Sequence, residues 1–356
     1  MKILFVVRNI QYAGASKMVA FVMNGLAEKG YNVSVLTYNN YSVGQSLHDT
    51  IHFYQGKPQS GLKEYCYAVK RIKEVIIDFN PNVIVAFRDN ASALAVIATL
   101  FKKIPVIVCE RSDPYMEVNL SLRIARFFFR YAGGGVFQTK EAQRYFEKSI
   151  KNYSIIPNPV LPIKKQCKGM FEERENIILN VARLEIVQKR QDVLLEAFKF
   201  VIDKYPQMKL GLCGDGIDKD KLLKQAEKLS ILNNVYFYGV VKDIPDKLYN
   251  SKMFVLSSDY EGISNALIEA MSMGLPCIST DTSPGGARVL IKNGENGFIV
   301  PRNNPKALAE KIIFYLEHPQ VANKHGENAK NIVNEFSPKH ILDMWEKFII
   351  GCANKN

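Results

Sequence analysis

Residues 259–274 read DYEGISNALIEAMSMG and directly follow KMFVLSS (252–258), an apolar run that ends in polar residues. The run predicts a buried strand. From Ser264 onward, Ala266, Leu267, Ile268, Ala270, Met271 and Met273 predict a buried helix. Strand, turn and helix in that order form the repeating unit of a parallel α/β sheet. The same stretch carries candidate chemistry. Gly262 permits close backbone approach, Ser264 is placed to cap the helix, and the N–H groups at the helix start, Ile263, Ser264 and Asn265, suit an anion. Glu261 falls in the turn and Glu269 in the helix. Elementary chemistry also accommodates a plain reading, in which Ser264 only caps and Glu261 is a solvated loop charge.

Working outward, the pattern repeats along the whole chain. KILFVV (2–7) reads as a strand, followed by a loop and a helix-like run that ends at Gly30. Strand VSVLT (33–37) precedes a polar region to about 60 and an amphipathic helix from Leu62 to Phe79, with Tyr65, Val69, Ile72 and Ile76 at helical spacing. VIVAF, a small-residue helix, PVIVCE, the basic aromatic segment SLRIARFFFRY, GGVFQT and the helix EAQRYFEKS complete an alternating half. Pro157, Pro159 and Pro162 mark a linker. A second alternation then runs from NIILNVA (176–182) to GFIVP (297–301), and helical segments follow to the end. The expected plan is two doubly wound parallel-sheet domains, 1–160 and 161–335, with a terminal helix over 336–356. A ligand would be held outside the carboxyl ends of their strands.

Composition narrows the class. The chain has 356 residues, 47% hydrophobic and 23% charged, the make-up of a globular protein with room for two cores. MKILFVV is too short an apolar run for a secretory signal, and no stretch reaches the ~18 apolar residues of a membrane span. The expected location is therefore cytoplasmic, with peripheral membrane association open. Six cysteines without C-x-x-C pairs read as reduced, buried thiols, and five histidines show no ligand spacing, so no metal site is expected. The net charge of +12 is uneven, with 20 Lys/Arg against 11 Asp/Glu in residues 1–160. Such a field attracts nucleic acid, anionic lipid or phosphorylated substrates alike.

EGISNALIE, followed by AMSMGLPCIST, resembles the E-x7-E signature of the family-4 retaining glycosyltransferases, with the flanking G, NAL, EAM, G and P residues in place. That resemblance implies the GT-B fold: two facing Rossmann-like domains, the donor nucleotide on the second and the acceptor on the first, with the last helix crossing back onto the first. It also implies transfer from a nucleotide sugar, a UDP-sugar before others, to a glycan or lipid-linked acceptor in cell-surface assembly. Because Arg and Lys side chains with a helix N-terminus can supply the positive charge, no metal or other cofactor is expected. VARLEIVQKRQD is similar to the family's diphosphate-holding segment and assigns that role to Arg183 and Lys189, with Ala182 in place of the usual Gly. Fixed cations stabilise the charge that a departing diphosphate gains. Whether Lys189 or the adjacent Arg190 points inward stays open.

By the same resemblance Glu269 holds the ribose hydroxyls and Glu261 faces the transferred sugar. Gly14, in Ala13-Gly14-Ala15, and Gly214, in Gly214-Asp215-Gly216, match the family's glycine turns, and the loop Thr282–Arg288 matches its segment near the donor. Glu110, Arg111 and Asp113 resemble an E-R-S-D-P segment found in some members. Acceptor contact and a structural ion pair are both open for them, and the histidine of other members has no counterpart. Asp218-Lys219-Asp220 spells D-x-D, but residues i and i+2 of a helix do not share a face, so first-turn acids favouring the helix dipole explain it better.

In residues 121–131, Arg123, Arg126 and Arg130 recur at spacings of three and four. Two readings compete: a buried helix with a basic edge, or a surface helix that meets anionic membrane. Three rivals to sugar transfer share parts of this pattern. A nucleotide-sugar epimerase or phosphorylase would use the same two-domain plan. A nucleic-acid-binding module is suggested by pI 9.2 but has no recognition motif, and a Rossmann dehydrogenase lacks G-x-G-x-x-G after KILFVV.

Overall fold

The computed structural model describes residues 1–10, 14–39, 46–116, 120–161, 163 and 165–355. The chain divides into two compact units, Met1–Asn158 with Pro338–Asn356, and Pro159–Ser337.

The first unit begins β1 (Lys2–Val7), α1 (Gly14–Glu28), β2 (Asn32–Thr37), β3 (His52–Gln55), α2 (Leu62–Phe79), β4 (Val83–Phe87) and α3 (Asp89–Thr99). It continues through β5 (Val106–Cys109), α4 (Leu120–Phe127), a 3-10 turn (Phe128–Tyr131), β6 (Gly134–Phe137), α5 (Lys140–Phe146) and β7 (Tyr153–Ile155). Its strands form one parallel sheet in the order β3-β2-β1-β4-β5-β6-β7. The inner strands are buried on both faces because helices cover both, which is why they read as continuous apolar runs. Two short edge strands, β3 and β7, are absent from the sequence reading. HFYQ and YSI are only partly buried, so neither carries an apolar run.

The second unit runs β8 (Glu175–Val181), α6 (Ile186–Lys189), α7 (Gln191–Lys204), β9 (Lys209–Cys213), α8 (Lys219–Lys228), β10 (Val235–Gly239), α9 (Ile244–Asn250) and β11 (Ser251–Leu256). After these come α10 (Asn265–Ser272), β12 (Cys277–Thr280), α11 (Gly286–Leu290), β13 (Phe298–Val300), α12 (Pro305–Glu317), α13 (Pro319–Ala329) and α14 (Ile332–Glu335). Its sheet is also parallel, ordered β10-β9-β8-β11-β12-β13. Local signals set the helix starts: Asn304 accepts from Ala307 N at 3.0 Å with Pro305 behind it, and Asp243 caps α9 before Pro245.

The last helix, α15 (Pro338–Ala353), belongs to the first unit, where it lies on α1 and β4. Trp345 is fully buried and stacks on Phe87, whose ring stacks in turn on Phe5. Gly25 of α1 leaves space for Leu342, because a Cβ there would lie 2.5 Å from the leucine side chain. Lys29 pairs with Asp343 and Glu346 at 2.5 and 2.6 Å. Each large apolar side chain buried in this way contributes roughly 1.5–3 kcal/mol.

Two sequence expectations need correction here. The arginines of residues 121–131 do not share one exposed face. Arg126 is 5% exposed, donates to Pro114 O at 2.8 Å, lies 3.7 Å from Glu110 and covers the rings of Tyr145 and Phe146. Only Arg123 and Arg130 face outward, because the helix narrows to a 3-10 turn at Phe128 and Phe129 enters the core. The cysteines are all free, but they are not all buried: Cys66 is exposed on α2. No described helix is long and apolar enough to cross a membrane.

Candidate active site

Three loops at the carboxyl edge of the second sheet are bound into one structure. The first leaves β8. Gly214 and Gly216, after β9, pack on it so closely that a Cβ at Gly214 would lie 1.9 Å from Ala182 O, and one at Gly216 would lie 2.3 Å from Leu184 O. Gly214 also has φ +141, outside the range of side-chain-bearing residues. Asp218 accepts from Ile186 N at 2.9 Å and from Lys221 Nζ at 2.7 Å, and so closes the amino end of α6. The lysine and the backbone N–H hold its carboxyl below the ordinary range. Asp218 thus stands at the N-cap of α8, with Asp220 in the first turn, and also bonds directly to the neighbouring helix.

The second loop follows β11. Ser283 O accepts from Glu261 N at 2.8 Å, and Ser283 N donates to Asp259 O at 3.0 Å, so residues 259–261 run beside the third loop, 282–286. A Cβ on Gly286 would lie 1.6 Å from Gly262 O. The close approach that Gly262 makes in this structure is thus to Gly286. These contacts aim Glu261 at α6, where its Oε1 pairs with Lys189 Nζ and accepts from Ser258 Oγ at 3.0 Å. Both partners are largely buried, Lys189 12% and Glu261 14% exposed.

Arg190 turns the other way. It meets Asp192, Asp259 at 2.8 Å and Asn303 at 2.8 Å, and the two carboxylates, Asp192 first, raise its already high pKa further. Of the adjacent cations, Lys189 is the one on Glu261. Gln188 completes the joint, with Nε2 donating to Tyr260 O at 3.0 Å and its carbonyl accepting from Asp259 N at 2.9 Å. Arg183 is 71% exposed, 3.2 Å from Glu185, and donates to Gln188 Oε1 at 3.4 Å.

Among the other sequence candidates, Ser264 is the N-cap of α10 and accepts from Leu267 N at 3.4 Å. Ile263 is buried, Asn265 opens the helix, and Glu269 is half-buried one turn further on. Gly14 opens α1 in the first unit, while Ala13 lies outside the described residues. Also in the first unit, Glu110 Oε1 accepts from Arg111 N, Ser112 N and Ser112 Oγ, each at 2.9 Å. Arg111 reaches Asn158 and Ile156 O, and Asp113 accepts from Tyr115 N at 2.9 Å. All three residues thus make structural hydrogen bonds, and the ion-pair partner near Glu110 is Arg126, at 3.7 Å.

Residues 164–332 match the family model for glycosyl transferases group 1, and residues 2–136 match that for glycosyl transferase 4-like proteins. The chain belongs to the family-4, group 1 glycosyltransferases. An uncharacterized glycosyltransferase of Methanocaldococcus jannaschii is 34% identical over 247 residues, covering 62% of this chain and 60% of that protein's length. The Campylobacter jejuni GalNAc-alpha-(1->4)-GalNAc-alpha-(1->3)-diNAcBac-PP-undecaprenol alpha-1,4-N-acetyl-D-galactosaminyltransferase is 25% identical over 370 residues, 99% of each chain. The solved structure of Anabaena HepE in complex with UDP superposes with a TM-score of 0.79 at 19% identity, covering 99% of this chain and 100% of that one. Such likeness shows the GT-B fold.

In this glycosyltransferase the E-x7-E stretch pointed to Glu261 and Glu269, but not to the residues that hold Glu261 in place. Ser258, Gln188 and Asp259 are reached only by folding. Arg190 and Asp192, both in the quoted VARLEIVQKRQD, carry no spacing signal for their shared clamp.

Proposed function

We propose that this glycosyltransferase moves a sugar, with retention of configuration, from a nucleotide sugar to a lipid-linked or growing cell-surface glycan, and that it does so without divalent metal. The carrying observation is the largely buried Lys189–Glu261 pair, held beside the start of α10 by three interlocked loops. An incoming diphosphate would compete with Glu261 for Lys189 and so acquire a cation that is already positioned. Arg183, exposed at the same loop, would add a second. Together with the N–H groups of Ile263–Asn265, these donors would stabilise the leaving diphosphate as its charge grows. Glu269, half-buried in α10, would hold the ribose hydroxyls, and Glu261 would face the sugar.

The donor reading takes support from relatives in complex with UDP, namely HepE from Anabaena and TarM from Staphylococcus aureus, at TM-scores of 0.79 and 0.80. The acceptor reading takes support from the undecaprenol-linked substrate in the Campylobacter name and the poly(ribitol-phosphate) in a Staphylococcus aureus name. Both names specify alpha products. An α-linked product from an α-linked nucleotide sugar is retention.

The test is incubation with a panel of UDP-, GDP- and ADP-sugars and lipid-linked acceptors, with and without chelator, read by mass spectrometry and by NMR of the new anomeric centre. The expected result is an α-linked product from a UDP-sugar, formed equally in chelator. Epimerised donor, or a sugar phosphate released by inorganic phosphate, would replace this reading with that of an epimerase or phosphorylase. Activity that needs Mn²⁺ would remove the metal-independent part.

A further inference from the structure

In the middle of the first sheet the chain changes direction. From β1 it proceeds outward through β2 and β3, whereas from β4 it proceeds the other way through β5, β6 and β7, so the carboxyl ends of β1 and β4 form a topological switch point. Ligands of open parallel sheets bind at such points. Each of the two strands runs directly into an arginine, β1 into Arg8 and β4 into Arg88. Val6 lies opposite Ala86, and the same parallel register carried two residues further sets Arg8 beside Arg88. Both arginines are exposed. Tyr38, just past β2, is buried close by: burial first and Glu64 second raise the pKa of its phenol, and Arg8 and Arg88 both act against the rise.

The backbone at Arg88 is under strain. Its φ of +75 and ψ of 155 fall in a region that glycine enters freely and residues with a Cβ almost never do. The angle is enforced from both sides, because Arg88 N donates to Cys109 O at 3.0 Å and Arg88 O accepts from Ser92 N at 2.9 Å. Glycine would make the same two bonds without strain. The arginine side chain returns nothing to the fold, since it is exposed and pairs with no acid among the described residues. Arg8 has one acid, Glu64, at 2.6 and 2.9 Å, and its side chain is still 55% exposed. Two neighbouring cations are thus matched by one carboxylate among the described residues.

We propose that Arg8 and Arg88 form a subsite for a phosphate group at the carboxyl edge of the first sheet. Guanidinium forks side by side suit the oxygens of a phosphate, whose charge supplies what the single carboxylate leaves unmatched. The strained backbone of Arg88 is kept because it presents that fork at the switch point. All the donor contacts proposed above lie in the second unit, so the phosphate is one carried by the acceptor, as the diphosphate of a lipid carrier. Which molecule carries the phosphate rests on the acceptor reading; that this edge binds a phosphate does not.

The experiment is calorimetric titration of the full-length protein with inorganic pyrophosphate, after saturation with UDP, and separately with UDP alone. Arg88→Gly should weaken pyrophosphate binding by about 10- to 100-fold, the loss of one charge-assisted fork, and leave UDP affinity unchanged. Its melting temperature should equal or exceed that of the parent, because glycine relieves the strain. Arg88→Lys should fall between the two in pyrophosphate affinity, since an ammonium keeps the charge without the fork. Farnesyl diphosphate should displace pyrophosphate, and farnesol should not. Absence of pyrophosphate binding by the parent, unchanged binding by Arg88→Gly, or a melting temperature of Arg88→Gly several degrees below the parent would each overturn the subsite. An equal loss of UDP affinity, or no displacement by farnesyl diphosphate, would overturn its assignment to the acceptor. A parent that binds pyrophosphate but not UDP would remove the donor reading and keep this subsite.

Discussion

The edge of the second sheet and the outer face of the first unit use the same side chains in opposite ways. Around α6 every cation is matched to an acid: Lys189 to Glu261, Arg190 to Asp192 and Asp259, Arg183 to Glu185. Along α2 and α4, by contrast, Lys63, Lys70, Lys73 and Arg123 stand without carboxylates among the described residues. Pairing inside a partly buried joint fixes side-chain geometry, which a reacting centre requires. Unpaired charge on an open face fixes no geometry. It contributes instead to the field around the unit.

The largest effect that tests this contrast is within one helix. Arg126→Ala should destabilise the fold by about 3–5 kcal/mol, because it removes the buried partner of Glu110 and of Pro114 O. Arg123→Ala, three residues away and exposed, should stay within about 0.5 kcal/mol of the parent. Urea denaturation of both variants measures the difference, and equal midpoints would erase the distinction between the two kinds of arginine.

Next come the paired groups of the candidate site. Lys189→Ala and Glu261→Ala should each lower turnover by about 10²–10³ without lowering the melting temperature by more than a few degrees. Because the two side chains touch, the double variant should lose less than the product of the single losses. Full multiplicative loss would show that the pair does not act as a unit.

The smallest expected effect is pH-dependent. Asp218 has a folded pKa below its ordinary value, so its contribution to stability is present above the unfolded pKa of about 3.9 and disappears as pH falls through the folded value. The melting temperature of the parent should exceed that of Asp218→Asn near neutrality and converge with it as pH falls below the folded pKa. A constant gap from pH 7 to pH 2 would mean that the carboxylate charge is not what closes α6.

Much of this molecule follows from sequence alone. The alternation of apolar runs with helical periodicity determines two parallel sheets, because strands buried on both faces must be apolar throughout and the helices between them must be amphipathic. KMFVLSSDYEGISNALIEAMSMG determines a strand, turn and helix with acids at two known positions, and with its flanks it points to the glycosyltransferase family. Tertiary structure decided the rest. Lys189 and Arg190 are neighbours of like charge, and only the placement of Glu261, Asp192 and Asp259 gives one to the candidate site and the other to the helix joint. Arg123 and Arg126 look alike in the chain, yet Pro114 O, Glu110 and two rings draw one of them inward. The edge strands β3 and β7 exist because a neighbouring strand offers a ladder, not because their own residues demand it. Local sequence encodes periodicity and backbone preference, whereas the partner of a charge or of an edge strand lies tens of residues away and is supplied only by the folded chain.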